Sequence, residues 1–159
     1  MMEEAPVWIE HDLSMGVGEI VGRVERLHQE NQVRVVILDG LHLILSAHKT
    51  EHVQALQKLH QAADSLKLAV ILTSGLNLSL EMRGGSKRPC LRDLRDWYQL
   101  EYFSSMVMFV YRPEYYYLDK FEDMTPAENM ADIMVGKNIF GGTGDVRMCF
   151  DNHVGFREI

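Results

Sequence analysis

The chain has 159 residues, with 16 basic and 23 acidic side chains and a formal charge of −7. That length suits one domain able to bury roughly 68–70% of its unfolded surface, and 47% hydrophobic with 25% charged residues excludes a disordered tail. Every apolar run is broken by a charge well before about 18 residues, so no transmembrane helix fits, and Met1-Met2-Glu3-Glu4-Ala5-Pro6 lacks the layout of a signal peptide. Cys90 and Cys149 stand outside any CxxC pair, which argues against a disulfide framework or zinc knuckle and for a reducing, cytoplasmic compartment. An acidic surface disfavours nonspecific polyanion binding but leaves room for a local basic patch.

In chain order, Val7-Trp8-Ile9 predicts a short strand. Ser14 can cap a helix whose apolar positions Val17, Ile20, Val21, Val24 and Leu27 recur at the helical period, with Gly22 allowing close packing on a sheet. The continuous apolar run at 33–45 predicts a strand buried on both faces of a parallel sheet. A helix over 51–66 follows, with Val53, Leu56, Leu59, Ala63 and Leu66 on one stripe. Buried strands are expected at 68–73 and 106–111. Between them a polar loop at 81–88 leads into a helix around 91–102. The end predicts a hairpin: 131–135, a turn through Gly141-Gly142-Thr143-Gly144, then 146–150. Alternating strands and helices closed by a hairpin predict an α/β fold with a mainly parallel sheet, in a single domain over 1–159.

Val35-Val36-Ile37-Leu38-Asp39 is an apolar strand ending in an acid, the arrangement that holds Mg²⁺ in phosphate-loop ATPases, or else a buried strand whose Asp starts a turn. No GxxxxGK[ST] loop occurs in the sequence, so the backbone cradle, the Lys and the Mg²⁺-binding hydroxyl of that motif have no source in it. Residues 83–95 carry Arg83, Lys87, Arg88, Arg92 and Arg95 against the single acid Asp93. Such a stretch suits a nucleic-acid groove, or simply a solvated face. His48 and His52 lack the third ligand a metal site needs, and Tyr115-Tyr116-Tyr117 can stack on bases or cover a sheet edge.

The order of these pieces resembles the C-terminal motor domain of bacterial replicative DNA helicases of the DnaB type. The stretches that carry the likeness are Lys87-Arg88-Pro89 through Leu91, Asp93-Leu94-Arg95-Asp96, Met108-Phe109-Val110-Tyr111-Arg112 and Glu114-Tyr115-Tyr116. Asp39 followed by Leu41-His42-Leu43-Ile44 is similar to the family's strand end, and residues 74–81 to its Ser-Gln-Leu-Asn-Arg-Ser-Leu-Glu segment. Gly136-Lys137, Gly141, Gly144, Val146-Arg147 and Phe150 follow its closing hairpin. The likeness runs from 7 to 156 and covers the later part of that domain. It implies a truncated RecA-like sheet, with the phosphate-loop strand and catalytic glutamate expected upstream of Val7.

The departures fall on chemistry. The family's γ-phosphate-sensing Gln corresponds to Gly75, the Arg of that segment to Leu78, and its arginine finger to Ile139, while Lys137 is kept. Where its DNA-facing loop reads Arg-Glu-Ser-Gly, this chain has Arg95-Asp96-Trp97-Tyr98. Together these imply a motor domain without its motor, needing no cofactor on its own. Its expected partners are a second copy, a helicase ring or single-stranded DNA, and no membrane. The rival expectation is an ATPase subunit whose phosphate loop comes from another chain or a longer gene product, with Asp39 and Lys137 holding Mg²⁺ and γ-phosphate. In either case the strands at 68–73 and 106–111, which would flank the phosphate-loop strand, are expected to pair directly or to accept a strand from another chain.

Overall fold

A computed structural model describes residues 6–12, 15–41, 52–94 and 98–159. The chain divides into two compact units, residues 1–74 and 75–159.

In the first unit, α1 (Val17–Asn31) starts at Gly16, whose N–H donates to Glu19 Oε2 at 3.1 Å and so satisfies one orphan donor of the first turn. Ser14, the expected cap, lies outside the described residues. Val17, Ile20 and Val24 are buried, as the period requires. The helix ends at Gln32, in the left-handed region at φ +56°, with its N–H on the His28 carbonyl. Helix α2 (His52–Leu66) packs against α1 and buries Ala55, Leu56, Leu59 and Ala62. A Cβ built at Gly22 meets open space, so this glycine does not serve close packing on a sheet.

Strands β1 (Val35–Leu38) and β2 (Ala69–Leu72) form a two-stranded parallel pair, in register from Val35↔Ala69 to Leu38↔Leu72. The expectation of burial on both faces is corrected: along each strand exposed positions alternate with partly covered ones, and Ile37 is 63% exposed. The strand expected at 33–45 stops at Leu38 because Gly40 turns the chain at φ +75°; residues 42–51 lie outside the description. Residues 6–10 are irregular, with Val7 and Ile9 exposed, so no strand forms there.

The second unit is built on a four-stranded antiparallel sheet in the order β3-β4-β5-β6: Met106–Tyr111, Met130–Asn138, Gly144–Asp151 and Gly155–Arg157. Strict alternation along β3 buries Val107, Phe109 and Tyr111 and exposes Met106, Met108 and Val110. Tyr111, Phe121 and Ala127 form the core, with Tyr116, Met130 and Met134 against it. Ahead of the sheet come the single-turn helix α3 (Ser79–Met82), a 3-10 turn (Leu91–Asp93) and α4 (Tyr98–Phe103); residues 95–97 are not described. The helix expected over 91–102 is therefore absent from 91–94. Asp93 closes a short turn by accepting the Cys90 N–H at 2.9 Å, and Leu94 then bridges to Leu76.

The RecA-like α/β class and the closing hairpin stand, with the parallel pair in one unit and the antiparallel sheet in the other. The strands at 68–73 and 106–111 fall in different units, and neither unit by itself shows the direct pairing expected of them. Among the described residues β2 bonds only to β1 and β3 only to β4, which leaves one edge of each unpaired.

Candidate functional site

In open α/β sheets, ligands sit outside the carboxyl ends of parallel strands. Here that end carries Asp39, exposed, after β1 and Thr73 after β2. The Thr73 hydroxyl donates to Asp39 Oδ1 at 2.5 Å and accepts the Gly40 N–H at 2.8 Å. Gly40's positive φ aims that N–H back at Thr73. One carboxylate and one hydroxyl do not form a cation cage, but they fit Mg²⁺ bound mainly through phosphates and water. Gly75, two residues on, has no side chain with which to sense a phosphate.

Lys137 lies on β4 in the other unit, half-buried, its Nζ donating to the Glu101 carbonyl at 2.5 Å. At the hairpin tip Phe140 N–H donates to Asn138 Oδ1 at 3.0 Å and Ile139 N–H to the Ser105 carbonyl at 3.0 Å, leaving both apolar side chains exposed.

Most of the basic stretch is engaged within the chain. Arg83 pairs with Asp93, a carboxylate that is 3% exposed. Burial alone would raise the Asp93 pKa, but the Cys90 hydrogen bonds and the Arg83 guanidinium outweigh it and hold the group below the usual carboxylate range. Lys87 Nζ donates to the Glu81 carbonyl at 2.6 Å and to that of Arg83. Arg88 reaches Asp132 at 2.8 Å and Asp145 at 2.6 Å, with Glu122 at 3.6 Å. Burial would depress the Arg88 pKa, yet the Asp132 and Asp145 contacts raise it. Arg92 is exposed and makes no hydrogen bond or ion pair among the described residues, and Arg95 lies outside them.

The organising residue of this region, Asp132, was not singled out in the sequence. It is 2% exposed on β4, directly across from Arg147 on β5, which bonds it through Nε at 2.8 Å. The opposing pull of burial on the Asp132 pKa is overcome by Arg147 and Arg88, so it stays below its ordinary range. Arg147 also reaches Asp123 at 2.9 Å and stacks on Phe121 at 3.6 Å. A signal was present: a carboxylate in the apolar run Ala131-Asp132-Ile133-Met134-Val135 requires a buried cation or donor. Of the tyrosines, Tyr116 packs on the core, whereas Tyr115 and Tyr117 are exposed. His48 is not described, and no group of three or more His, Cys, Asp or Glu converges among the described residues.

The fold belongs to the RecA-like α/β class, as the likeness to two solved structures shows. The ATPase domain of G40P superposes with a TM-score of 0.74 at 25% identity, over 91% of this chain and 52% of that one. A DnaB-like replicative helicase, solved for its interactions with primase, superposes with a TM-score of 0.75 at 25% identity, over 91% of this chain and 35% of that one. The family model of the DnaB-like helicase C terminal domain matches residues 1–157, and the chain belongs to that family. The replicative DNA helicase DnaB of Buchnera aphidicola subsp. Acyrthosiphon pisum (strain APS) is 30% identical over 159 aligned residues, 96% of this chain and 33% of the relative. The chain thus spans about a third of the length of the curated relatives it matches.

Proposed function

We propose that this chain works by contact instead of turnover: a DnaB-type helicase domain segment that associates with itself or with a helicase ring in the cytoplasm and holds single-stranded nucleic acid weakly. One observation carries the reading. Across a match to a DnaB-type family spanning 1–157, the sequence carries Gly75 and Ile139 at the positions where the resemblance puts the phosphate-sensing Gln and the arginine finger. Loss of an arginine finger alone costs about 10³–10⁵ in phosphoryl-transfer rate. The unpaired edge of β3 and its exposed Met106, Met108 and Val110 support docking of another polypeptide. Because a structural neighbour was solved for its interactions with primase, a primase is the first heterologous partner to try. Hydrolysis by the purified chain with Mg-ATP, measured beside sedimentation velocity, tests the proposal. Association without turnover is the expected result, and turnover abolished by Asp39→Ala overturns it.

The Asp39–Thr73 bond favours a second reading, a subunit completed by a phosphate loop from another chain or from a longer gene product. ATP and Mg²⁺ belong to this reading alone. Asp39 would then help hold the metal, and Lys137 would leave the Glu101 carbonyl to reach the γ-phosphate. A ligand at 100 times its Kd stabilises by about 2.7 kcal/mol, so Mg-ATP should raise the Tm once a cognate helicase is added. No shift, alone or with the helicase, removes this reading.

A further inference from the structure

The sequence contains one Asp-Gly pair, Asp39-Gly40, and no Asn-Gly pair. Such a pair has a chemistry of its own. Glycine has no Cβ, so its backbone nitrogen meets little hindrance when it turns on the preceding side chain. A bond forms from the Gly40 nitrogen to Asp39 Cγ, and the N–H proton leaves with the hydroxyl of the protonated carboxyl as water. The product is a five-membered succinimide ring. Water then opens that ring at either carbonyl. Opening at Cγ restores aspartate, whereas opening at the main-chain carbonyl carbon leaves isoaspartate, whose backbone runs through Cγ and is one methylene longer.

Asp39 is exposed at the end of β1, open to solvent. Both reacting groups are nevertheless tied to one hydroxyl. Gly40 N–H donates to Thr73 Oγ1 at 2.8 Å, and the Thr73 hydroxyl donates to Asp39 Oδ1. The backbone of the same residue fixes the turn on either side: Thr73 N–H donates to the Leu38 carbonyl at 3.0 Å, and Leu41 N–H to the Thr73 carbonyl at 2.9 Å. Ring closure consumes the Gly40 N–H and swings the carboxyl onto the nitrogen, so both bonds to the hydroxyl must break first. The reaction therefore draws on the locally opened turn, in proportion to its population.

We propose that Asp39-Gly40 is a site of spontaneous isoaspartate formation and that the Thr73 hydroxyl is the latch that sets its rate. The reaction belongs to the covalent chain itself, needs neither nucleotide nor partner, and is independent of both functional readings above. Its consequence falls on the strand end. Isomerisation moves the free carboxylate from the side-chain tip onto Cα and lengthens the turn, so an aged chain presents its acid in a different place at the carboxyl end of the parallel pair.

The test compares the unaltered chain with Thr73→Val and Thr73→Ser, each held warm at mildly acidic pH. Isoaspartate is read by peptide mapping and by methyl transfer from S-adenosylmethionine with an isoaspartyl methyltransferase. It is expected at residue 39 ahead of every other aspartate. Thr73→Val, which loses both bonds to the hydroxyl, should form it about tenfold faster, and Thr73→Ser should match the unaltered chain. The chain unfolded in urea should be faster than the folded one, a comparison that still decides the matter if Thr73→Val does not fold. Asp39→Glu, which would have to close a six-membered ring, should abolish the signal. No isoaspartate at residue 39 even in urea, a folded Thr73→Val no faster than the unaltered chain, or a folded chain as fast as the unfolded one overturns the proposal.

Discussion

Asp132 shows most directly how single side chains hold the second unit together. Taking a carboxylate out of water is costly, and two guanidiniums with near-ideal hydrogen bonds offset that cost. Removing one partner leaves a buried charge undercompensated. Arg147→Ala should therefore cost about 3–5 kcal/mol in the urea unfolding free energy, far more than loss of an exposed ion pair such as Arg157–Asp151. The sign with pH follows from the same contacts. Asp132 and Asp93 are held below the ordinary carboxylate range, and Asp123 is lowered to about 2 by its bonds to Thr125 and Arg147. A depressed carboxylate contributes stability that is complete above its unfolded pKa and lost as pH falls through its folded value. The urea midpoint should hold from pH 7 down to about 5 and then fall toward pH 2. In Asp132→Asn that acid-side fall should be shallower, since one of the protons taken up on unfolding is gone.

At the scale of elements, α2 allows a paired comparison. Leu56 is 2% exposed and Val53 43% exposed on the same helix. Leu56→Ala should cost about 2–5 kcal/mol by lost burial plus the cavity left behind, and Val53→Ser no more than about 0.5, both by chemical denaturation followed by circular dichroism. Where the signal is local the sequence was legible: α2 begins one residue from its expected start, and β3 has the expected bounds. The errors have physical causes. Apolar runs at Val35–Leu38 and Ala69–Leu72 signal burial on both faces, yet burial also depends on what packs against each face, and Val35, Ile37 and Ile71 are exposed here. The expected helix at 91–102 overlooked Asp93, whose bonds to Cys90 and Arg83 favour a tight turn over a helical one. Much the same happened to the basic stretch. Its charges were countable, but the carboxylates that bind Arg88 lie 44 and 57 residues further along the chain, and no local pattern reveals them.

For the whole molecule, that internal pairing decides how any nucleic-acid binding must respond to salt. Each phosphate neutralised on a single strand contributes a slope of about −0.7 to the logarithmic salt dependence of the binding constant. If Arg83, Lys87, Arg88, Arg92 and Arg95 all met phosphates, the slope would be about −3.5. Three of these are engaged: Arg83 and Arg88 with carboxylates, Lys87 with backbone carbonyls. Pulling Arg88 away would leave Asp132 buried beside Arg147 alone, a penalty that phosphate contacts on a chain of net charge −7 are poorly placed to offset. With Arg92, which makes no ion pair among the described residues, and Arg95 taken as the two of the five that meet phosphate, the expected slope is about −1.4 when a fluorescent oligonucleotide is titrated between 25 and roughly 200 mM salt. Arg92→Gln should halve that slope, whereas a charge-preserving Arg88→Lys should leave it unchanged while lowering stability, because lysine lacks the fork that spans two carboxylates. A measured slope near −3.5 would mean that the ion-pair network opens on binding and that the arginines tied to Asp93 and Asp132 are exchangeable ligands instead of fixed parts of the fold.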